Sequence, residues 1–135
     1  MSNIYPIAPG RLNFGGPAGQ TRLKPLRQGS TFRRPLSVPS IDLTGHQLRC
    51  SIRRDFEDRN PIVFLSTGNG RIQLNLPHGF VMELGPEITE TIEAAPGLGE
   101  RYVYDIELIA PNGDVHPLLE GELYVVAEVT KEADT

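Results

Sequence analysis

The chain of 135 residues has no tryptophan, one cysteine and no long uninterrupted apolar run. A single thiol cannot form an internal disulfide, so no disulfide framework holds this fold together. A transmembrane helix needs about 18 or more consecutive apolar residues, and their lack excludes a helical membrane span. The first residues also lack the charged start and apolar segment of a secretory signal, so we expect the chain to be made and assembled in a cytoplasm.

Acidic residues are missing from the first forty positions, which carry six basic side chains and eleven glycines or prolines. Residues 1–60 contain ten basic and four acidic side chains, a net charge of +6. Residues 61–135 contain three basic and thirteen acidic side chains, a net charge of -10. Such an imbalance between the halves of a chain is typical of a charged tail that has a partner.

Residues 1–28 are predicted to be an extended basic arm, because their apolar residues are isolated and their prolines interrupt regular hydrogen bonding. An extended segment can add a strand to the open sheet edge of another protein, so we expect the arm to take its shape against a neighbour. Another copy of this chain, whose second half is acidic, is one such neighbour. The residues expected to contact the partner are Tyr5, Arg11, Phe14, Arg22, Lys24, Arg27, Arg33 and Arg34.

Nucleic acid is not the expected partner of this arm. Its basic residues are widely spaced, and phosphate contacts alone would give a weak, salt-sensitive attachment. Only Phe14 and Phe32 accompany them, whereas single-strand binding relies on aromatic platforms.

Residues 29–130 are predicted to form an all-β body, an Ig-like β-sandwich of six to seven antiparallel strands. One short helix within residues 86–94 is expected to cross between the two sheets, and residues 131–135 to be a polar tail. Pro35 favours an edge position for the first strand, since proline cannot donate to a ladder. The strands are expected at 30–38, 46–54, 61–66, 71–76, 80–84, 101–110 and 115–129.

No residue pattern in the chain indicates catalysis, a metal site or a cofactor. His46, His78 and His116 each lack a second ligand at metal-binding spacing, and no Gly-x-Ser-x-Gly motif is present. Cys50 lies in an alternating apolar strand, where we expect a buried and inert thiol. The four glutamates between positions 83 and 93 are expected to form a solvated acidic face. The chain is therefore predicted not to be an enzyme.

Several short motifs resemble a family of small proteins of tailed bacteriophages and prophages, whose members carry an "IDLTGY" start, an "STENGRI" turn and a "GRYVYDLEL…RLLEG…VSPEVT" finish. The matching segments are residues 41–45 (IDLTG), 65–72 (LSTGNGRI), 99–108 (GERYVYDIEL), 118–121 (LLEG) and 129–130 (VT). This chain departs from the pattern at His46, where an aromatic residue is usual, and at Glu100, which lies between the glycine and the arginine.

The resemblance implies an Ig-like β domain in a virion, associated with tail, baseplate or fibre-attachment parts. We therefore expect a structural adaptor that docks by its arm onto neighbouring virion proteins and copies of itself, oligomeric within the particle and assembled in the host bacterial cytoplasm. One alternative is a capsid decoration protein that stabilises the head. Another is a carbohydrate-binding module, although such modules usually present a planar aromatic surface, and this chain has only four tyrosines and no tryptophan.

Overall fold

The computed structural model describes residues 3–17 and 22–128, which contain eleven strands and one helix. The elements are β1 (Gly10–Arg11), β2 (Asn13–Phe14), β3 (Arg22–Leu23), β4 (Leu26–Arg27), β5 (Phe32–Ser37), β6 (Gln47–Arg53), β7 (Val63–Ser66), β8 (Ile72–Asn75), β9 (Gly79–Leu84), α1 (Pro86–Thr89), β10 (Glu100–Ile109) and β11 (Val115–Val126).

Two sheets form the β-sandwich, which confirms the predicted all-β class. The larger sheet has eight strands in the order β3-β2-β11-β10-β6-β7, with β1 and β4 also paired to β11. The smaller sheet has three strands in the order β5-β9-β8. The architecture is a β-sandwich of two sheets.

The core lies between the sheets, where alternate residues of the strands point inward. In β10 this inward face consists of Tyr102, Tyr104, Ile106 and Leu108, all of which are buried. Tyr104 is opposite Ile52 of β6 on one side, where the pairing is antiparallel. The alternation predicted from the sequence therefore identifies the core face of the central strand correctly.

The edge strand, the helix and the connection between sheets also follow the prediction. β5, which contains Pro35, lies at the edge of the small sheet. Helix α1 follows β9 of the small sheet and precedes β10 of the large sheet, so it crosses between them. It spans only Pro86–Thr89, about one turn, with proline at its start and Glu87 in its first turn.

The turn at residues 67–70 does not use a positive φ at Asn69. Only Gly70 has a positive φ, of 80°. The Asn69 side chain fixes the turn instead, because its Oδ1 accepts from the backbone N–H groups of Ser66 and Arg71. The turn leads from β7 in the large sheet to β8 in the small sheet.

The prediction that residues 1–28 form an arm separate from the sandwich is wrong for the described part of this segment. Strands β1, β2 and β4 each pair in parallel with β11, and β3 pairs in parallel with β2. The seven strands β5–β11 of the predicted body pair antiparallel, as expected, and β1–β4 add the parallel pairs at this edge. We call residues 3–17 and 22–28 the N-terminal segment.

The segment joins the sheet because its backbone completes the open edge of β11 while two apolar side chains enter the core. Phe14 and Leu26 are fully buried. Gly121 of β11 lets the chain approach closely, since a Cβ atom there would collide with the carbonyl oxygen of Leu12. The edge-pairing expected between this segment and a neighbour is thus made within the chain. The predicted polar tail at 131–135 and the domain end at 130 lie outside the described residues.

Candidate functional site

Tyr5, which was expected to contact a partner, lies between two histidines of its own chain. Its hydroxyl is 2.7 Å from Nε2 of His46, and its ring stacks on His116 with the centroids 3.9 Å apart and the planes at 1°. Nδ1 of His46 is 3.1 Å from the carbonyl oxygen of Thr44. Because a carbonyl oxygen only accepts, Nδ1 is the donor, and with one proton on the ring Nε2 accepts a hydrogen bond from the Tyr5 hydroxyl.

Sequence reasoning treated these histidines as isolated residues and missed their contact with Tyr5. His46 and His116 are 70 positions apart in the chain. No local spacing connects them, so only the fold could reveal the cluster. Its effect is to hold the start of the N-terminal segment against the sandwich.

Phe14 is also unavailable to a partner, because it lies in the core with none of its surface exposed. Its ring meets Phe32 edge-on at a centroid distance of 5.8 Å and lies 5.2 Å from the ring of Tyr104. These contacts join the N-terminal segment to both sheets, since Phe32 belongs to β5 and Tyr104 to β10.

Two of the cationic residues expected to bind a partner form ion pairs with acidic residues of the same chain. Arg11 Nη1 is 3.2 Å from Glu120, and Arg33 Nη2 is 2.7 Å from Glu83. The arginine of each pair is well exposed, at 61% and 62% of its side-chain surface. Such exposed pairs contribute little to stability, because water screens the charges.

Three other cationic residues, Lys24, Arg27 and Arg34, line a cavity of about 450 Å³ together with the hydroxyl residues Ser30 and Thr31. No acidic side chain lines this cavity among the described residues. We call it the basic cavity. The main chain of Arg22 belongs to β3, whereas its side chain lies outside the described part of the structure.

Arg34 is partly immobilised in the wall of the basic cavity. Its Nη2 donates to the carbonyl oxygens of Lys24 at 3.2 Å and Pro25 at 2.8 Å, and its guanidinium lies 4.4 Å from the centre of the Phe32 ring. Burial lowers the pKa of this guanidinium below its ordinary value. Its Nε is buried without a hydrogen-bond partner among the described residues.

A second cavity, of opposite charge, lies on the other side of the turn at residues 27–30. This acidic cavity has a volume of about 360 Å³ and is lined by Gln28, Gly29, Glu90 and Glu128. Both cavities share residues of this turn, because Arg27 and Ser30 line the basic cavity whereas Gln28 and Gly29 line the acidic one. The turn therefore separates two concave surfaces of opposite sign.

Thr89, which is fully buried, fixes the turn through hydrogen bonds of its side chain. Thr89 Oγ1 accepts from the Gly29 N–H at 3.1 Å and donates to the Ser30 carbonyl at 2.8 Å. The Gln28 side chain adds a hydrogen bond of 2.9 Å to the carbonyl of Ile92. The charged groups around the turn are thus presented on a fixed backbone.

The outer face of the large sheet carries a ladder of cross-strand ion pairs. Arg49 pairs with Glu107 at 2.8 Å, Arg53 with Asp105 at 2.9 Å, and Arg101 with Glu122 at 2.7 Å. The hydrogen bond from Arg101 holds the pKa of Glu122 below its ordinary value. Burial, by contrast, raises the pKa of Asp105 in spite of its arginine partner.

The predicted inert state of Cys50 agrees with its surroundings. The side chain is 2% exposed, and burial raises the pKa of its thiol far above the ordinary value.

His78 contacts the carbonyl of Ile41 through Nδ1 at 2.7 Å. Within residues 3–17 and 22–128, no group of three histidines, cysteines or carboxylates is placed to hold a metal ion. Nor is any helix in these ranges long and apolar enough to cross a membrane.

The sequence analysis expected the four glutamates near α1 to form one solvated face. In the structure they have different contacts. Glu83 pairs with Arg33, and Glu93 lies 2.8 Å from Arg54 Nη2. Glu90 instead lines the acidic cavity.

Polar side chains of the described segments that resemble the phage motifs form hydrogen bonds within the fold. Asp42 Oδ1 accepts from the N–H of Thr44 at 3.0 Å and from its hydroxyl at 2.7 Å, and these bonds lower the Asp42 pKa. Asn69 fixes the turn between β7 and β8. Tyr102 and Tyr104 each donate a hydrogen bond to a backbone carbonyl, at 2.7 Å and 2.5 Å. The motifs therefore describe a framework of turns and core contacts.

The fold and its surfaces define an all-β sandwich with a preformed charged turn. A scan against protein-family models and a search of curated protein sequences found no match to this chain. The resemblance to phage proteins therefore stays a prediction from the sequence motifs.

Proposed function

We propose that this chain is a non-enzymatic structural protein of a tailed-bacteriophage virion. In this role it is an adaptor between neighbouring tail, baseplate or neck proteins, and it helps to attach fibres. The resemblance of the short motifs supports this role, and their described polar residues, such as Asp42 and Asn69, make hydrogen bonds inside the fold. A catalytic site, in contrast, aims such groups at a substrate in a cleft.

The route of docking differs from the one that the sequence suggested. Tyr5 and Phe14 are engaged inside the domain, so the N-terminal segment binds its own sandwich and the outer surfaces remain for partners. Two features of those surfaces suit docking. One is the turn at residues 27–30 with its basic and acidic cavities. The other is the apolar pair Ile4 and Ile7, which are 72% and 100% exposed.

Locating the chain in a particle tests this function. Phage particles carrying the gene are purified, heads and tails are separated by density, and each fraction is probed by quantitative mass spectrometry. We expect the chain in tail fractions at a fixed copy number relative to the major tail protein. Detection in tail-less heads alone would indicate a decoration protein, and absence from every particle fraction would refute a virion role.

A further inference from the structure

We infer that the turn at residues 27–30, with its basic and acidic cavities, is the surface by which two copies of this chain bind each other. We call this surface the charged turn; its basic side consists of Lys24, Arg27 and Arg34, and its acidic side of Glu90 and Glu128. The inference deepens the proposed function, because it assigns the contact between copies that this function requires.

The charges of this surface are not neutralised within the described part of the chain. Arginines elsewhere, such as Arg33 and Arg101, have a carboxylate within 4.0 Å, whereas no such ion pair joins any of the five residues of the charged turn. Two concave patches of opposite sign that have no internal partner are complementary to each other.

The arrangement of the two patches suits a two-fold axis. In a symmetric dimer the same surface serves both copies, so residue i of one contacts residue j of the other and the reverse. Because the patches flank one turn, a two-fold rotation brings the basic side of each copy against the acidic side of its partner. Each dimer then contains two identical charge contacts.

The rigidity of the turn supports its use as an interface. Thr89 and Gln28 already fix the backbone that carries Arg27 and separates the patches. Less conformational freedom is therefore lost on association than with a flexible loop. The contact remains weak and salt-sensitive, since exposed ion pairs gain little in water. Repetition in a particle strengthens such contacts, because tethered copies bind at high effective concentration.

Two charge-reversal variants of the full chain test the inference. The first carries Lys24→Glu and Arg27→Glu, and the second carries Glu90→Lys and Glu128→Lys. Each variant makes both sides of the charged turn carry mainly one sign, so each should repel its own copies. An equimolar mixture should associate again, because each variant then meets the opposite sign. Arg59→Glu, an exposed charge reversal in the β6–β7 connection, is the matched control.

Sedimentation equilibrium at 50 mM and 500 mM NaCl measures the outcome, with circular dichroism to verify folding. We expect the unmodified chain and the control to dimerise at low salt, and the dissociation constant to rise at least about tenfold at high salt. Each reversal variant alone should be monomeric, and their mixture should form heterodimers.

The inference is overturned if the unmodified chain is monomeric at millimolar concentration, if either reversal variant dimerises like the control, or if the mixture stays monomeric. These results concern purified protein only. A negative result in the dimerisation measurements would not change the result of the particle-location experiment. The two proposals can therefore be refuted separately.

Discussion

Replacing Phe14 by alanine should destabilise the whole domain, because this side chain joins the N-terminal segment to the core. Phe14 is fully buried and packs against Phe32 of the small sheet and Tyr104 of the large one. The substitution removes the ring and leaves a cavity between the sheets. If the segment were a detached arm, the same change would leave the stability of the sandwich unaltered.

Replacing a buried phenylalanine by alanine costs about 3–5 kcal/mol of unfolding free energy. A domain of this size has about 5–15 kcal/mol in total, so the loss is a large fraction of its stability. We expect urea denaturation, followed by circular dichroism, to show a free energy of unfolding lower by about 3–5 kcal/mol. The thermal midpoint should fall by roughly 10–20 °C.

Ile7→Ala provides the matched control in the same segment, because Ile7 is 100% exposed. This change should alter the unfolding free energy by no more than about 0.5 kcal/mol. Should Phe14→Ala prove as mild as Ile7→Ala, the reasoning that places the segment in the core would be refuted.

Three further outcomes follow from the same structure. Gly121→Ala should lower the free energy of unfolding, measured by urea denaturation, by about 1–3 kcal/mol or more, because the added Cβ collides with the N-terminal segment. Gly68→Ala is the control and should be nearly neutral, since a Cβ there meets only an ordinary contact at 3.6 Å. Equal effects of the two substitutions would contradict the close approach at Gly121. Cys50 should resist a thiol reagent such as dithionitrobenzoate in the native state and react fully in 6 M guanidinium, and rapid native labelling would contradict its burial. Glu122 has a folded-state pKa below its unfolded value of about 4.3, so its stabilising effect is present above that pH and is lost as the pH falls through the folded value. Glu122→Gln should therefore remove about 0.2–1 kcal/mol at pH 7 and little at pH 2, and an equal loss at both would exclude the ion pair with Arg101 as the cause.

The sandwich itself was predictable from the sequence because its strands are long enough to show alternation. Tyr102, Tyr104, Ile106 and Leu108 occupy every second position, and the structure places this predicted face of β10 in the core. Pro35 likewise predicted an edge, since its missing N–H excludes a central position. The β10–β11 hairpin turns at Gly113, which has a positive φ of 93°.

The N-terminal segment was not predictable in this way, because its strands are only two residues long. Periodicity has no meaning over two residues, so nothing local distinguishes a strand there from an extended tail. Its pairing with β11 depends on Gly121, more than 90 positions away, and on the fit of Phe14 into a core formed by other elements. The contact of Tyr5 with His46 and His116 was hidden for the same reason.

Charge patterning predicted attraction between the basic and acidic halves of the chain, and part of this attraction is made within one chain. The basic first half does meet the acidic second half, but Arg11 and Arg33 do so within one chain. Of the cationic residues expected to contact a partner, Lys24, Arg27 and Arg34 instead line the basic cavity. A sequence shows the sum of charges, whereas the fold decides which of them are already paired.

Amide hydrogen exchange of the N-terminal segment, measured by NMR on the dilute chain in 500 mM NaCl, tests the central claim most directly. The N–H groups of Leu12, Gly15 and Gln28 donate to backbone carbonyls at 3.1, 2.8 and 2.9 Å. We expect these amides to be protected to a degree similar to those of β10, because both belong to one cooperative sheet. Exchange at random-coil rates in the segment, with β10 still protected, would show that the segment is not part of the domain's own sheet.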